Sequence, residues 1–457
     1  MENLFEKYVD AVEQTETITS VGYICRARGL LLESRGPQAV IGEICLLDVR
    51  GVEVQAEVVA LSEHIVSLMA FADTSGIEIG SRVKATGSML SVLCSPELLG
   101  RILGPLGSTI DGKKPITGNV RYPALAKPPP ALSRPPIKKR VITGIRAIDG
   151  LLACGEGQRL GIFAGSGVGK STFQGMIARN TAADVNVIAL IGERGRELND
   201  FIEQSLGEEG LKRSVLVVAT SDQPALARLR GAYIAAAVAE YFRDRGMNVM
   251  LLFDSVTRFA RAQREIALSI GEVPAQRGYT PSVFELLPKL LERAGASDKG
   301  TITAFYTVLV DGDDMDEPIS DNVRGILDGH IVLSRNLASR GHYPAVDILQ
   351  SISRLESEIA GPESKKAARI IKRYIADYAE AEDIINAGAY KRGSNPSIDI
   401  AIEKRAEIED FLIQDAGDKS TLAETLSRMG EIADIVIPES EMIYGDGELE
   451  STAIQQI

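Results

Sequence analysis

The chain has 457 residues and a formal net charge of −13, with 45% of its residues hydrophobic and 25% charged. Such a length suggests two to four domains with ample material for a large core. The acidic balance argues against broad binding to a phosphate backbone, which requires a basic surface, though it leaves room for a local basic patch.

The first segment, MENLFEKYVDAVEQTE, places Leu4, Phe5, Tyr8, Val9 and Val12 on one helical stripe, away from Glu2, Glu6, Asp10 and Glu13. Two readings fit: a helix packed on its own domain, or a helix that docks a partner. From about residue 20 to 90 the texture changes. Val52, Val54, Ala56 and Val58 alternate with Glu53, Gln55 and Glu57, which predicts a strand with one wet face. Short apolar runs recur between glycines at 29, 36, 42, 51, 76, 80 and 87, the pattern of a small barrel or sandwich. Residues 122–136, YPALAKPPPALSRPP, cannot form regular structure, because proline removes donors and restricts its neighbours. They read either as a linker or as an extended strap lying on the next domain.

From about 140 to 350, the runs RLGIFA, VNVIALIG, SVLVVAT, NVMLLFD and ITAFYTVLV alternate with helical stretches. Near-continuous apolar strands between helices imply a parallel sheet covered on both faces. After about 365 helical patterns dominate, as in ESKKAARIIKRYIADYAEAEDIINA. The expected organisation is therefore a terminal helix over 1–18, a β-barrel over 19–92, an α/β core over 93–365 and a helical domain over 366–457.

The strand RLGIFA feeds the loop Ala164-Gly165-Ser166-Gly167-Val168-Gly169-Lys170-Ser171-Thr172. A strand, a glycine-rich loop and a helix in that order make a phosphate-binding P-loop. Its amides would curl around phosphate oxygens at a helix N-terminus, Lys170 would reach the β- and γ-phosphates of ATP, and Ser171 would ligate Mg2+. Ala164 replaces the usual first glycine, which is harmless if φ there is negative. NVMLLFD ends in Asp254, the way a Walker B carboxylate is delivered to magnesium, and VIALIGERGRE ends a second buried strand in Glu193. A carboxylate at the C-terminal edge of a parallel sheet faces the ligand crevice, where Glu193 would orient the attacking water. An extra strand carrying a glutamate between the two Walker elements separates RecA-like ATPases from simple GTPases and kinases. Glu197 and Asp200, on the following helix, read as surface groups or partners of the site.

Residues 342–354, HYPAVDILQSISR, together with GERGRE, DSVTRFARAQRE and the P-loop variant beginning in alanine, resemble the rotary and export ATPases over essentially the whole chain. The likeness is greatest to the flagellum-specific and type III secretion export ATPases, relatives of the ATP synthase catalytic subunit. The chain lacks the acidic DELSEED segment typical of that subunit. GSGVGKST and the prolines before ITGIRAIDGLL tip the resemblance toward the flagellar branch.

The resemblance implies an N-terminal β-barrel, a RecA-like P-loop core and a C-terminal helical domain. It also implies Mg2+-dependent ATP hydrolysis in a homo-hexamer that energises protein export. It makes Glu193 the catalytic glutamate, Arg194 its neighbour in the phosphate site and Arg258 a γ-phosphate ligand. Tyr343 would stack on adenine, and Phe411 would close the adenine pocket. Arg354 would be an arginine finger acting on the neighbouring subunit's nucleotide. The implied partners are a regulatory protein at residues 1–18, a coiled-coil stalk protein in the ring pore near the acidic, irregular segment 311–321, the membrane export gate, and chaperone–substrate complexes. No nucleic acid is expected.

The competing readings are an injectisome ATPase, an ion-pumping rotary subunit, a RecA-like helicase and a non-catalytic ring subunit. A helicase would need basic pore loops and a barrel richer in aromatics than one with only Tyr23 and Phe71. Glu193 counts against a non-catalytic subunit. Cys25, Cys45, Cys94 and Cys154 form no C-x-x-C pair and read as core thiols of a cytosolic chain. The three histidines, His64, His330 and His342, lack metal-ligand spacing. No signal peptide or bilayer-length apolar run is read, so any membrane contact is expected to be peripheral; the resemblance implies a cytoplasmic protein at the cytoplasmic face of the inner membrane.

Overall fold

A computed structural model of the chain describes residues 20–118 and 120–442. The expected docking helix at 1–18 lies outside the described residues. Two compact units result, one built on residues up to Leu90 and the other containing most of the remaining chain.

In the first unit, strands β1 (Val21–Arg28), β2 (Leu31–Arg35), β3 (Glu43–Val49), β4 (Val52–Ser62), β5 (Ile65–Ala70) and β6 (Arg82–Met89) close a barrel in the order β1-β2-β5-β4-β3-β6. Every neighbouring pair is antiparallel. Ile24, Leu32, Cys45, Leu47, Ala56, Val58, Leu68 and Val83 fill its interior. The β3–β4 hairpin turns at Arg50 and Gly51, whose φ values of 53° and 85° match the twist of the flanking strands. The expected alternation on β4 holds only in part. Val52, beside the hairpin turn, is exposed, whereas Ala56, Glu57 and Val58 are buried in succession because both faces of the strand are covered there. Glu57 is thus buried instead of wet.

The second unit is organised around a nine-stranded sheet. After β7 (Ser91–Cys94) come β8 (Arg101–Leu103), β9 (Val120–Pro123), β10 (Arg159–Ala164), β11 (Val185–Glu193), β12 (Ser214–Thr220), β13 (Asn248–Asp254), β14 (Thr301–Leu309), β15 (Gly329–Leu333) and β16 (Val346–Ser353). The sheet runs β16-β15-β10-β14-β13-β11-β12-β8, with the two-residue strand Gly295–Ala296 alongside β14. Pairings along it are parallel except for that short strand and edge strand β16, which is antiparallel to β15. All nine residues of β11 are buried, as expected of a strand covered on both faces.

The proline-rich stretch is a strap. Its first residues, Tyr122 and Pro123, end strand β9, which pairs with β7. Further along, Arg134 donates to the carbonyl oxygens of Glu292 and Ala294, the latter at 3.0 Å. The Ala124 carbonyl accepts from Arg293, whose guanidinium also forms a buried ion pair with Glu240 at 2.6 Å.

Helices cover the sheet: α1 (Arg146–Leu151), α2 (Lys170–Asn180), α3 (Gly195–Asp200), α4 (Gly207–Lys212), α5 (Ala225–Arg243), α6 (Val256–Ser269), α7 (Pro281–Leu291), α8 (Pro318–Ile326) and α9 (Arg335–Ser339). The longer C-terminal helices are α10 (Pro362–Asn386), α11 (Pro396–Leu412) and α12 (Leu422–Ala433). α12 begins with a reciprocal capping box between Thr421 and Glu424. Ile148, Leu151, Phe411, Leu426 and Met429 join α1, α11 and α12 in one apolar core with the sheet's face. Among the described residues no helix is long and apolar enough to cross a membrane.

Candidate functional site

Strand β10 delivers the phosphate loop to the C-terminal edge of the sheet, between β15 and β14. Ala164 keeps a negative φ inside the strand, so the alanine costs the loop nothing. Helix α2 begins at Lys170, as the motif requires. Two loop glycines have positive φ, Gly167 at 79° and Gly169 at 87°. Val168 is buried and pins the loop to the core, while Ser166, Ser171 and Thr172 are exposed on its outer side.

Two strand ends converge on Lys170. Its Nζ lies 2.6 Å from Asp254 Oδ1, at the end of β13, and 3.5 Å from Glu193 Oε1, at the end of β11. Arg258, in the first turns of α6, completes the group with Nη2 3.1 Å from Glu193 Oε2. Arg258 also donates to the Gly192 carbonyl. At Gly192 any Cβ would lie 2.9 Å from Arg258 Cδ, so glycine makes room for this arginine. The β11–β12 register shifts between Ile191 and Glu193, and this bulge re-aims the glutamate at the end of its strand.

Burial, reinforced by the charge of Asp254, pushes the Glu193 carboxyl up to about 7. A hydrogen bond shared with Glu197 acts in the same direction, while Lys170 and Arg258 oppose it. Burial would lower the Lys170 ammonium, but Asp254 and Glu193 outweigh it and hold the group above its ordinary value. The two carboxylates and two cations thus form a nearly neutral, dry cluster beside the loop.

Thr307 was not singled out in the sequence, yet its hydroxyl donates to Asp254 Oδ1 at 2.8 Å and fixes that carboxylate. No local sequence signal marks it, because its strand, TITAFYTVL, carries two further threonines.

The other expected residues fall around this cluster. Tyr343 is 43% exposed, and its ring flanks Gly169, where an added Cβ would be 3.3 Å from two ring carbons. The Tyr343 carbonyl accepts from Gln414 N at 2.9 Å, which ties the end of α11 to the site. Arg194 is not brought into the cluster. It is 77% exposed and paired with Glu197 at 3.1 Å. Phe411 is a correction: it is wholly buried, with its ring against Gly150 of α1, and does not line an open adenine pocket. Its aromatic bulk was needed by the core that α11 shares with α1.

Arg354 is exposed and far from the loop of its own chain. β15 runs parallel to β10, with Leu333 beside Ala164, and β16 then runs back to pair Ser353 with Gly329. Arg354 therefore sits at the sheet edge opposite the phosphate loop. Its Nη2 donates to the Arg324 carbonyl at 3.3 Å. Arg324 in turn pairs with Asp321 at 2.9 Å and Asp316 at 3.4 Å. The acidic segment is also less irregular than expected. Glu317 caps Ser320 N, Pro318 takes the first helical position, and α8 begins there.

Three family models match consecutive parts of the chain: the beta-barrel domain of the ATP synthase alpha/beta family over residues 24–87, its nucleotide-binding domain over 144–353, and the T3SS EscN ATPase C-terminal domain over 360–431. The chain is 56% identical to the flagellum-specific ATP synthase of Treponema pallidum (strain Nichols), covering 96% of this chain and 98% of that relative. It is 52% identical to the protein of that name from Bacillus subtilis (strain 168), over 93% and 98%. It is 47% identical to the type 3 secretion system ATPase of Xanthomonas euvesicatoria, over 90% and 94%. Among solved structures, the assembled ATPase EscN of the enteropathogenic E. coli type III secretion system superposes with a TM-score of 0.86 at 44% identity, covering 90% of this chain and all of that one. EscN in complex with its central stalk EscO gives 0.85.

Proposed function

The chain belongs to the flagellum-specific and type 3 secretion ATPases of the ATP synthase alpha/beta family, and from that membership we propose a Mg2+-dependent ATP hydrolase that works as a six-membered ring and energises protein export through the flagellar apparatus. The observation that carries the catalytic reading is the convergence of Glu193, Asp254 and Arg258 on Lys170 at the mouth of the phosphate loop.

The backbone amides of Gly165, Ser166, Gly167, Val168 and Gly169 would hold the phosphates at the N-terminus of α2. Lys170 would turn from Asp254 to the β- and γ-phosphates, leaving Asp254 free. The Ser171 hydroxyl and the Thr307-anchored Asp254 carboxylate supply hard oxygens, the donors that magnesium takes alongside phosphate oxygens and water. Bound there, the ion would offset charge developing on the phosphates. Ionised Glu193 would accept a hydrogen bond from the attacking water and orient it in line. Arg258 would meet the γ-phosphate, and Tyr343 would stack on the adenine.

Arg354, at the far edge of its own sheet, would serve the nucleotide of the next subunit. A finger in trans is worth about 10³–10⁵ in rate. By analogy with EscN and its central stalk EscO, a coiled-coil stalk would occupy the pore near the acidic segment. Residues 1–18 would dock a regulatory partner, and the ring would meet the export gate and chaperone–substrate complexes at the cytoplasmic face of the inner membrane. An injectisome role is the second reading, supported by the likeness to EscN.

The test is steady-state ATPase rate per subunit against protein concentration, for wild type and Arg354→Ala. The shared-site ring requires a rate per subunit that climbs with concentration, and a variant that binds nucleotide but stays inactive. Wild-type activity that is independent of concentration down to monomeric protein would sink it.

A further inference from the structure

The three glycines of the phosphate loop answer to three different needs. Gly167 has φ +79° and nothing within 4 Å of an added Cβ, so backbone conformation alone selects it. Gly169 combines φ +87° with the Tyr343 ring beside it. Gly165 is different, since its φ lies outside the left-handed range. What excludes a side chain there is space: a Cβ would sit 2.8 Å from Arg335 Nη2 and 2.8 Å from Asp313 Oδ1.

These two groups are themselves an ion pair at 3.5 Å. They come from opposite sides of the loop. Asp313 follows β14 and Arg335 follows β15, the two strands hydrogen-bonded to either flank of β10. The pair therefore bridges both neighbouring strands across the root of the phosphate loop. The turn that presents Asp313 places two consecutive residues at positive φ, Gly312 at 68° and Asp313 at 59°. Aspartate tolerates that conformation better than most residues, and such a backbone persists only where its surroundings impose it.

We infer that Arg335, held by Asp313, is a positioning residue for the phosphate loop, and that the pair makes the acidic turn after β14 part of the nucleotide site. This rests on the reading of residues 165–172 as the phosphate loop. Neither side chain is assigned a contact with the reacting atoms. The pair acts on where the loop's first amides lie, so it governs nucleotide affinity more than turnover at saturation.

The experiment measures the affinity of the full-length protein for methylanthraniloyl-ATP with magnesium, alongside KM and kcat for ATP and thermal melting. The proteins compared are wild type, Lys170→Ala, Asp313→Ala, Arg335→Ala, Arg335→Lys and the Asp313→Ala/Arg335→Ala double variant. For an exposed pair, each single alanine is expected to weaken binding about three- to fivefold, with KM rising in step and kcat and melting temperature unchanged. The double variant should be no worse than Arg335→Ala, because both changes remove one interaction, and Arg335→Lys should recover most of the loss. Wild-type affinity in both single variants overturns the inference, as do losses that multiply in the double. Undiminished binding by Lys170→Ala would instead locate the failure in the phosphate-loop reading and take the inference down with it.

Discussion

Tyr343 and Arg354 stand at opposite ends of one edge strand. β16 leaves the mouth of the phosphate loop just after Tyr343, where Val346 pairs with Leu333, and ends with Ser353 beside Gly329 just before Arg354. One end of the strand thus lies beside the chain's own phosphate loop, and the other lies away from it. At about 3.4 Å per residue, the eight residues of β16 set its ends roughly 24 Å apart, more than an arginine side chain can span.

Mixing two dead proteins tests this division. Lys170→Ala lacks a working loop but keeps its finger, and Arg354→Ala has the reverse defect. In an equal mixture about one interface in four joins an intact loop to an intact finger. ATP hydrolysis is expected to reappear in the mixture, and a mixture as inactive as its components would sink the trans assignment.

The proton on Glu193 sets a pH dependence. Its carboxyl is raised to about 7 in the free protein, from an ordinary 4.5. In the proposed mechanism the ionised form faces the water, so kcat/KM for ATP, which reports the free enzyme, should climb as pH rises through about 7 and then level off. The linkage to stability has the opposite sign: the favourable contribution is complete below 4.5 and is lost as pH rises through 7. Glu193→Gln should abolish hydrolysis at every pH. A wild-type profile flat from pH 6 to 8 would refute the assignment.

Phe411 belongs to the core that joins α11 to α1. Phe411→Ala should cost about 3–5 kcal/mol of stability, read by chemical denaturation, with KM for ATP unchanged. A selective rise in KM at unchanged stability would return the residue to the adenine pocket.

Thr307 offers a finer test of the metal-side geometry. Thr307→Val keeps the shape and removes the hydroxyl that fixes Asp254. The magnesium concentration that gives half-maximal ATPase activity should rise several-fold while the fold stays intact by circular dichroism. An unchanged magnesium dependence would show that Asp254 needs no such anchor.

The Arg293–Glu240 pair is fully buried. Removing one partner by Glu240→Ala should cost about 3–5 kcal/mol, whereas replacing both by apolar residues of similar size should recover much of that loss. Equal destabilisation in the single and double variants would argue that the Arg293 contact to the Ala124 carbonyl matters more than the ion pair.

Much of the site was legible because its chemistry sits where local pattern is strongest. Lys170, Glu193 and Asp254 each follow or end an apolar run, and parallel strands bring such ends together. The barrel was legible from its turn glycines. What escaped depends on lateral register, which no local pattern carries. Thr307 meets Asp254 only because β13 and β14 are neighbours, and Asp313 meets Arg335 only because β14 and β15 flank β10. The expectation for Glu57 failed for a related reason: alternation does not reveal which distant segment covers a residue, and the resemblance that placed Phe411 at the adenine pocket carries no such information either.

The order of strands has a consequence for how the chain can be made. Every pairing of the barrel lies between Val21 and Met89, so its partners all emerge early from a ribosome. β10 has no such luck, since Gly157, just before it, waits for Thr303, 146 residues later, and its other flank waits for β15. During synthesis a finished barrel would trail an unpaired apolar strand and an open phosphate loop for most of the remaining translation. Contacts this distant in sequence close slowly. Truncations that end before Ser353 should leave a folded barrel tethered to an aggregation-prone core.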